Sequence, residues 1–477
     1  MKTIAISIKE LLQGDNINSR IINNLFPQKP YFDFDEVFDK IYSTLISLRQ
    51  DLCVVIETEY IDKDYRDAYY RFYSTKLRTF NRNCVRLSFF ENCVQHFFTN
   101  INTITEQDEA TINSNFLGFI VLRPLKNCLG CNVLSPKALQ HSEHLRICGT
   151  LVKSSCMGVK LSVWGFPHAS QDGQLMTCAE TTVWAISEYF GEKYSLYSRI
   201  FPHHILDLLQ EDYYERMLPS NGLNYQMISY VLQKQGFACK IYHKANPKFK
   251  ELFACYVESG FPIAVALNGV DASNKAYGHA VVCIGRRDIP SDSIRSIQPV
   301  NHSGHCMWKW NNVVNEFVAN DDNLMPYSIF SFDCNTKRND DNGWGEYEIV
   351  SFIVPLHPKV YIEAEEAIQI SSDLVIETTD IQEPCVRTFL TTARSYREYV
   401  IKNPDIQGLE KQVLLNLDFP KFVWITEITS MSDFCDEKVK EVLFLDATAD
   451  SGDGADAQIE YIKFNQSVMS FDNLRYV

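Results

Sequence analysis

The apolar stretches of this chain are short. FPIAVAL (261–267), HAVVCIG (279–285), CVRLSFF and FLGFIVLRP are strand-sized, and the last ends at a proline, which suits a strand terminus. None approaches the ~18–20 apolar residues needed to cross a bilayer, so no membrane span is expected. Helix-like segments such as DEVFDKIYSTLISLRQ and YIEAEEAIQI lie among them. The mixture predicts an α+β protein. Pattern divides it into an N-terminal α+β region (1–155), a middle region (156–356) from VKLSVWGFP to YEIVSFIVPLHP, and a C-terminal α+β region (357–477). A length of 477 residues accommodates roughly two to four domains.

Charge narrows the partners. Lys and Arg number 45 against 60 Asp and Glu, a formal net charge of −15, and no basic run stands out. Such a chain repels phosphate backbones and anionic lipid, so neither nucleic acid nor membrane is an expected partner. The 15 cysteines are scattered, several inside apolar runs, as with Cys53, Cys239 and Cys283. That is the usage of free, buried thiols in a reducing compartment. The apolar stretch before Lys9 is too short for a signal-peptide core. A cytoplasmic protein is expected.

The middle region carries the chemistry. In HASQDGQLMTCAETTVWAISEYFGEKY, Thr177-Cys178-Ala179-Glu180 matches a capping box, with Thr177 at the N-cap and Cys178 at the first helical position. Val183, Trp184, Ile186, Tyr189 and Phe190 give the helix an apolar face, and Gly191 is its expected stop. Unpaired N–H groups and the positive end of the macrodipole favour the thiolate of a cysteine placed there.

A nucleophile needs a base. Residues 261–267 and 279–285 read as an antiparallel pair joined by a polar loop, and NEFVANDD follows as a third strand. If it pairs antiparallel with the second, His279 at the start of one strand meets Asp321 and Asp322 at the end of the other. A carboxylate there fixes the imidazole tautomer while the other ring nitrogen takes the thiol proton. Register decides between Asp321 and Asp322.

Cys178 opening a helix, Gly278-His279 opening a strand and a later strand ending in Asp321 resemble the papain-like cysteine peptidases, and among them the C39-like bacterial branch. The segment LPSNGLNYQMISYVLQKQGF is similar to that branch too. The resemblance covers roughly residues 160–356. It implies a papain-like fold, in which a helix-borne cysteine packs on an antiparallel sheet bearing the histidine, and acyl transfer, usually peptide-bond hydrolysis. By that resemblance Cys178 is the nucleophile, His279 the general base and acid, and Asp321 (alternatively Asp322) the orienting residue, with no cofactor. The family places an oxyanion glutamine about six residues before the cysteine. Here that position is Asp172, which would oppose an oxyanion, so the assignment falls to Gln171, with Gln174 as the alternate. The implied substrate is a peptide, isopeptide or related amide. The competing readings are a papain-like binding or sensor protein without turnover, and a subunit of a larger assembly.

Other motifs are weaker. Cys128-Leu-Gly-Cys131 with Cys148 and Cys156 lacks the paired spacing of a zinc knuckle, and apolar strand and turn cysteines are expected instead. His302, His305 and Cys306 read as a polar surface loop, and His203-His204 after Pro202 as a helix start. The glycines of DDNGWGEYEIV predict a turn before a core strand, and Trp424 a core residue. There is no GxxxxGK[ST] and no helix-opening GxGxxG, so no nucleotide site is supported.

Overall fold

The computed structural model describes residues 3–28, 34–91, 94–99, 104–142, 144–210, 218–271, 276–332, 344–450 and 457–477. It is an α+β architecture of three larger sheets and a hairpin. Among the described residues, all strand pairs are antiparallel except one, His305–Lys309 beside Cys385–Thr392.

The N-terminal sheet is a meander of Thr3–Ser7, Cys53–Tyr60, Cys84–Phe90, Phe116–Leu122 and Leu129–Leu134, each strand pairing with the next. Helix Phe34–Ser47 covers one face through Val37, Ile41 and Leu45. The hairpin Thr150–Cys156/Val159–Gly165 shares a core with the other face through Val152, Leu161 and Val163. Every residue of Cys84–Phe90 and Phe116–Leu122 is therefore buried. Continuous apolar runs, rather than alternating ones, follow from that two-sided cover.

The central sheet positions the candidate site. Its order is Ser328–Ser331, Glu316–Asn320, Ala276–Arg287, Ile263–Asp271, Trp344–Leu356 and Ala238–His243. The two middle strands pair with Ile263 opposite Cys283 and Leu267 opposite His279. Both extend into the stretch expected as a polar loop, so His279 is the fourth residue of its strand and does not open it. Glu316–Asn320 pairs antiparallel with Ala276–Arg287, Asn320 opposite Val282. Asp321 and Asp322 follow the strand directly.

The C-terminal sheet runs Val300–His302, His305–Lys309, Cys385–Thr392, Phe422–Thr429, Lys438–Asp446 and Gln458–Met469. Tyr396, Val400 and Leu414 of helices Ala393–Lys402 and Gly408–Asn416 pack in the core on one of its faces. Trp424, Leu443 and Leu445 point the other way, into the core of the central sheet. Trp424 is fully buried, as expected, and its Nε1 donates to the Ile362 carbonyl at 2.9 Å.

The expected regional cuts do not fall between structural units. Position 155/156 lies inside a hairpin strand. Residues 300–309, assigned to the middle region, begin the C-terminal sheet, and Arg475–Tyr476 pairs with Leu145–Ile147, which itself joins the histidine strand. The stretch with His302, His305 and Cys306 is a short hairpin, not a loop. The turn expected in DDNGWG lies mostly outside the described residues. Among the described residues, no helix is long and apolar enough to cross a membrane.

Candidate functional site

The site is built where the start of one helix meets the central sheet. Thr177 has extended backbone, and the helix runs Cys178–Lys193, two residues beyond the expected stop at Gly191. Glu180 secures the turn. Its Oε2 accepts the Thr177 N–H at 3.1 Å and the Thr177 hydroxyl, and its Oε1 accepts the Ser220 hydroxyl. Glu180 is fully buried, so these donors replace the water its carboxylate has lost. Cys178 is half-buried and opens toward solvent at the helix end, where its own N–H has no partner inside the helix.

The helix packs on the histidine strand, which sets the Cys178 thiol beside the His279 ring, near enough to raise its pKa. His279 is buried behind it, and its Nε2 lies 3.0 Å from Asp321 Oδ1. Nδ1 is then the ring nitrogen that can serve the thiol. Asp322 Oδ1 sits 3.6 Å from the same Nε2. The register question is answered by this geometry: Asp321 bonds the imidazole, and Asp322 stands just outside bonding distance.

Electrostatics follow from burial and charge. Burial pulls the His279 imidazolium down, but the charge and hydrogen bond of Asp321, contact with Cys178 and the nearby Asp322 outweigh it and raise the ring to about 10. The imidazolium thus persists at neutral pH. Asp322 is pushed up to about 7, chiefly by burial and then by the charge of Asp321, against the pull of His279. Both Asp322 oxygens are buried without a bonded donor.

Asp321 is held from several sides. Its Oδ1 also accepts the Asn323 N–H at 3.0 Å. Its carbonyl accepts from His168 Nε2 at 2.9 Å, and His168 Nδ1 faces Asn132 Nδ2 at 2.9 Å. Complete burial lowers His168 to about 4, so its ring is neutral. Nδ1 then accepts from the Asn132 amide and Nε2–H donates to Asp321, which fixes the tautomer. The chain of contacts ties the aspartate turn to the N-terminal sheet through Leu129–Leu134.

The loop before Cys178 departs from the expectation for the oxyanion donor. Gln171 Nε2 donates to Asn323 Oδ1 at 2.9 Å, which draws that amide toward the aspartate turn. Gln174 enters the network through its backbone: its N–H donates to Asp172 Oδ1 and its carbonyl accepts the Ser220 N–H. Asp172 is held within its own loop. Its Oδ1 accepts the N–H groups of Gln174, Leu175 and Met176 at 2.9, 2.8 and 2.9 Å, so the charge is spent on its own loop.

His168, Asn132 and Asn323 had no signal in the sequence, because each acts on a partner far away in the chain. The Glu180 anchor was visible as half of a capping box. Among the described residues, the close groups with cation-ligand chemistry are His279-Asp321-Asp322, accounted for by the histidine–aspartate pairing, and His203-His204-Asp207 on helix Pro202–Gln210. Cys128, Cys131, Cys148 and Cys156 do not gather into one. No protein-family profile matches the chain, and no curated protein is similar to it.

Proposed function

We propose that the protein is a cysteine hydrolase of papain-like type, acting on a peptide, isopeptide or related amide. The observation that carries this reading is one continuous line of contacts: a half-buried thiol at a helix N-terminus, a buried imidazole against it, and a carboxylate 3.0 Å behind the imidazole. The helix-on-antiparallel-sheet arrangement supports the papain-like part of the proposal. Cys178 adds to the substrate carbonyl, and the oxyanion is met by the Cys178 N–H. His279 protonates the leaving amine, giving a thioester, then takes a proton from the water that hydrolyses it. Asp321 keeps the ring oriented throughout, and the steps need no cofactor.

The test uses p-nitrophenyl acetate, which acylates reactive thiols with little demand on specificity. The expected result is a burst of p-nitrophenolate with acetyl found on the Cys178 peptide, absent in Cys178→Ala, whose circular dichroism matches the parent. Acetyl on other residues with none on Cys178 overturns the proposal. A second reading, a papain-like binding protein without turnover, draws on the engagement of Gln171 by Asn323, which leaves the oxyanion one fewer donor. It predicts that Cys178 is acylated but never deacylated.

A further inference from the structure

A sizeable cavity lies not at Cys178 but at the opposite end of its helix. It has a volume of about 440 Å³, within the range of small-molecule sites, and lies between the last turn of that helix and the C-terminal sheet. Its walls are aromatic, with Tyr189, Phe190, Tyr197, Phe261, Phe422 and Phe471 among them. Several polar groups of the wall are occupied. Thr391 donates to Asn473, whose amide donates to two carbonyls, and Ser259 donates to the Cys255 carbonyl while accepting the Leu390 N–H.

Charge is left over, and it is of one sign. The two acids of the lining are engaged, Glu398 with Lys402 at 2.6 Å and Asp472 with Arg146 at 2.6 Å. Lys193 and Lys421 also line the cavity, and neither has a carboxylate partner among the described residues. Lys193 Nζ stands 4.9 Å from the Tyr189 ring centroid and donates to that hydroxyl, and Lys421 Nζ stands 5.2 Å from the Phe422 ring. His357, also in the wall, lies tilted against Phe422, ring centroids 4.6 Å apart, and is held below its ordinary value by burial and by the charges of Lys421 and Lys359.

We propose that this cavity is a binding site for an amphipathic anion, a carboxylate or phosphate on an apolar body, seated against the aromatic wall with its charge between Lys193 and Lys421. The site does not depend on the hydrolase reading. The probe is 1-anilinonaphthalene-8-sulfonate, which has this chemistry and reports binding by fluorescence. One saturable site per native chain is expected. Lys193→Glu with Lys421→Glu should weaken it by at least about tenfold, and Ser395→Trp, which fills the cavity, should abolish it. Lys411→Glu, a lysine outside the lining, should leave it unchanged. Displacement by octanoate points to an acyl body and displacement by phenyl phosphate to an aromatic one. Displacement by neither, no saturable site, or a site indifferent to the double charge reversal and to Ser395→Trp overturns the proposal.

Discussion

At the scale of single residues, the two adjacent aspartates are not equivalent, and solution measurements can separate them. Asp322 is buried with no bonded donor and titrates at about 7 when folded, against an ordinary value of 3.8. A group whose folded value is raised gives stability that is complete below the unfolded value and is lost as pH rises through the folded one. The fold should therefore weaken between about pH 4 and pH 7 on account of Asp322. Asp322→Asn should remove that slope, ending about 1–3 kcal/mol ahead of the parent at pH 7–8 in urea titrations; parallel curves would contradict it. His279 has the same sign in a later window, from about 6.5 to about 10, so His279→Gln should flatten the stability profile there. Asp172→Ala should cost about 2 kcal/mol, because three N–H groups lose one charged acceptor. Cys178 and His279 were legible in the sequence, one from a capping box and the other from the start of an apolar run. The choice between Asp321 and Asp322 was not, since a one-residue register is set by sheet pairing. The engagement of Gln171 was not legible either, because the side chain that accepts from it, Asn323, sits beyond the third strand.

At the scale of elements, the cysteine helix shows why an apolar stripe was only part of the answer. Ala179 through Phe190 are all buried, including Glu180, Thr181, Thr182, Ser187 and Glu188. Such polar positions are affordable inside only because distant groups meet them, as Lys63 Nζ meets Glu188 at 3.2 Å. Glu180→Ala should orphan the Thr177 N–H and the hydroxyls of Thr177 and Ser220, cost about 1–3 kcal/mol, and slow thiol alkylation at Cys178; an unchanged alkylation rate would mean that the helix start does not depend on this anchor. Strand extents were legible to within a few residues where apolar runs were long. The short strand Leu145–Ile147 was not, because its place is defined by Gly285, where a Cβ would stand 2.0 Å from the Arg146 carbonyl oxygen. Gly285→Ala should force that strand off the histidine strand, lower the melting temperature and raise hydrogen exchange at Ile147; wild-type exchange there would contradict it.

At the scale of the whole molecule, the C-terminal sheet is welded to the central one. Glu258 is buried between Arg286 and Arg387, which hold it down at about 2 against the cost of burial, and Arg387 continues to Glu427 at 3.1 Å. Removing one member of a buried ion network costs about 3–5 kcal/mol. Glu258→Gln should therefore lower the melting point of the central and C-terminal sheets together, as one calorimetric transition. A C-terminal transition that moves alone would contradict the shared core. Strands 300–309 and 475–476 pair across the regional cuts read from pattern, and pairing between strands distant in sequence leaves no mark in local pattern.

The central claim is that Cys178 works as a nucleophile paired with His279, and iodoacetamide labelling resolved by peptide mapping between about pH 5 and 9 tests it most directly. The molecule supplies its own references. Cys306 is exposed, whereas burial pushes the thiols of Cys128 up to about 11 and of Cys148 and Cys239 to about 12. The account predicts that Cys178 is labelled faster than Cys306 at the acid end of the range, and that His279→Ala erases the difference. Labelling of Cys178 that follows Cys306 at every pH, with or without His279, would contradict it.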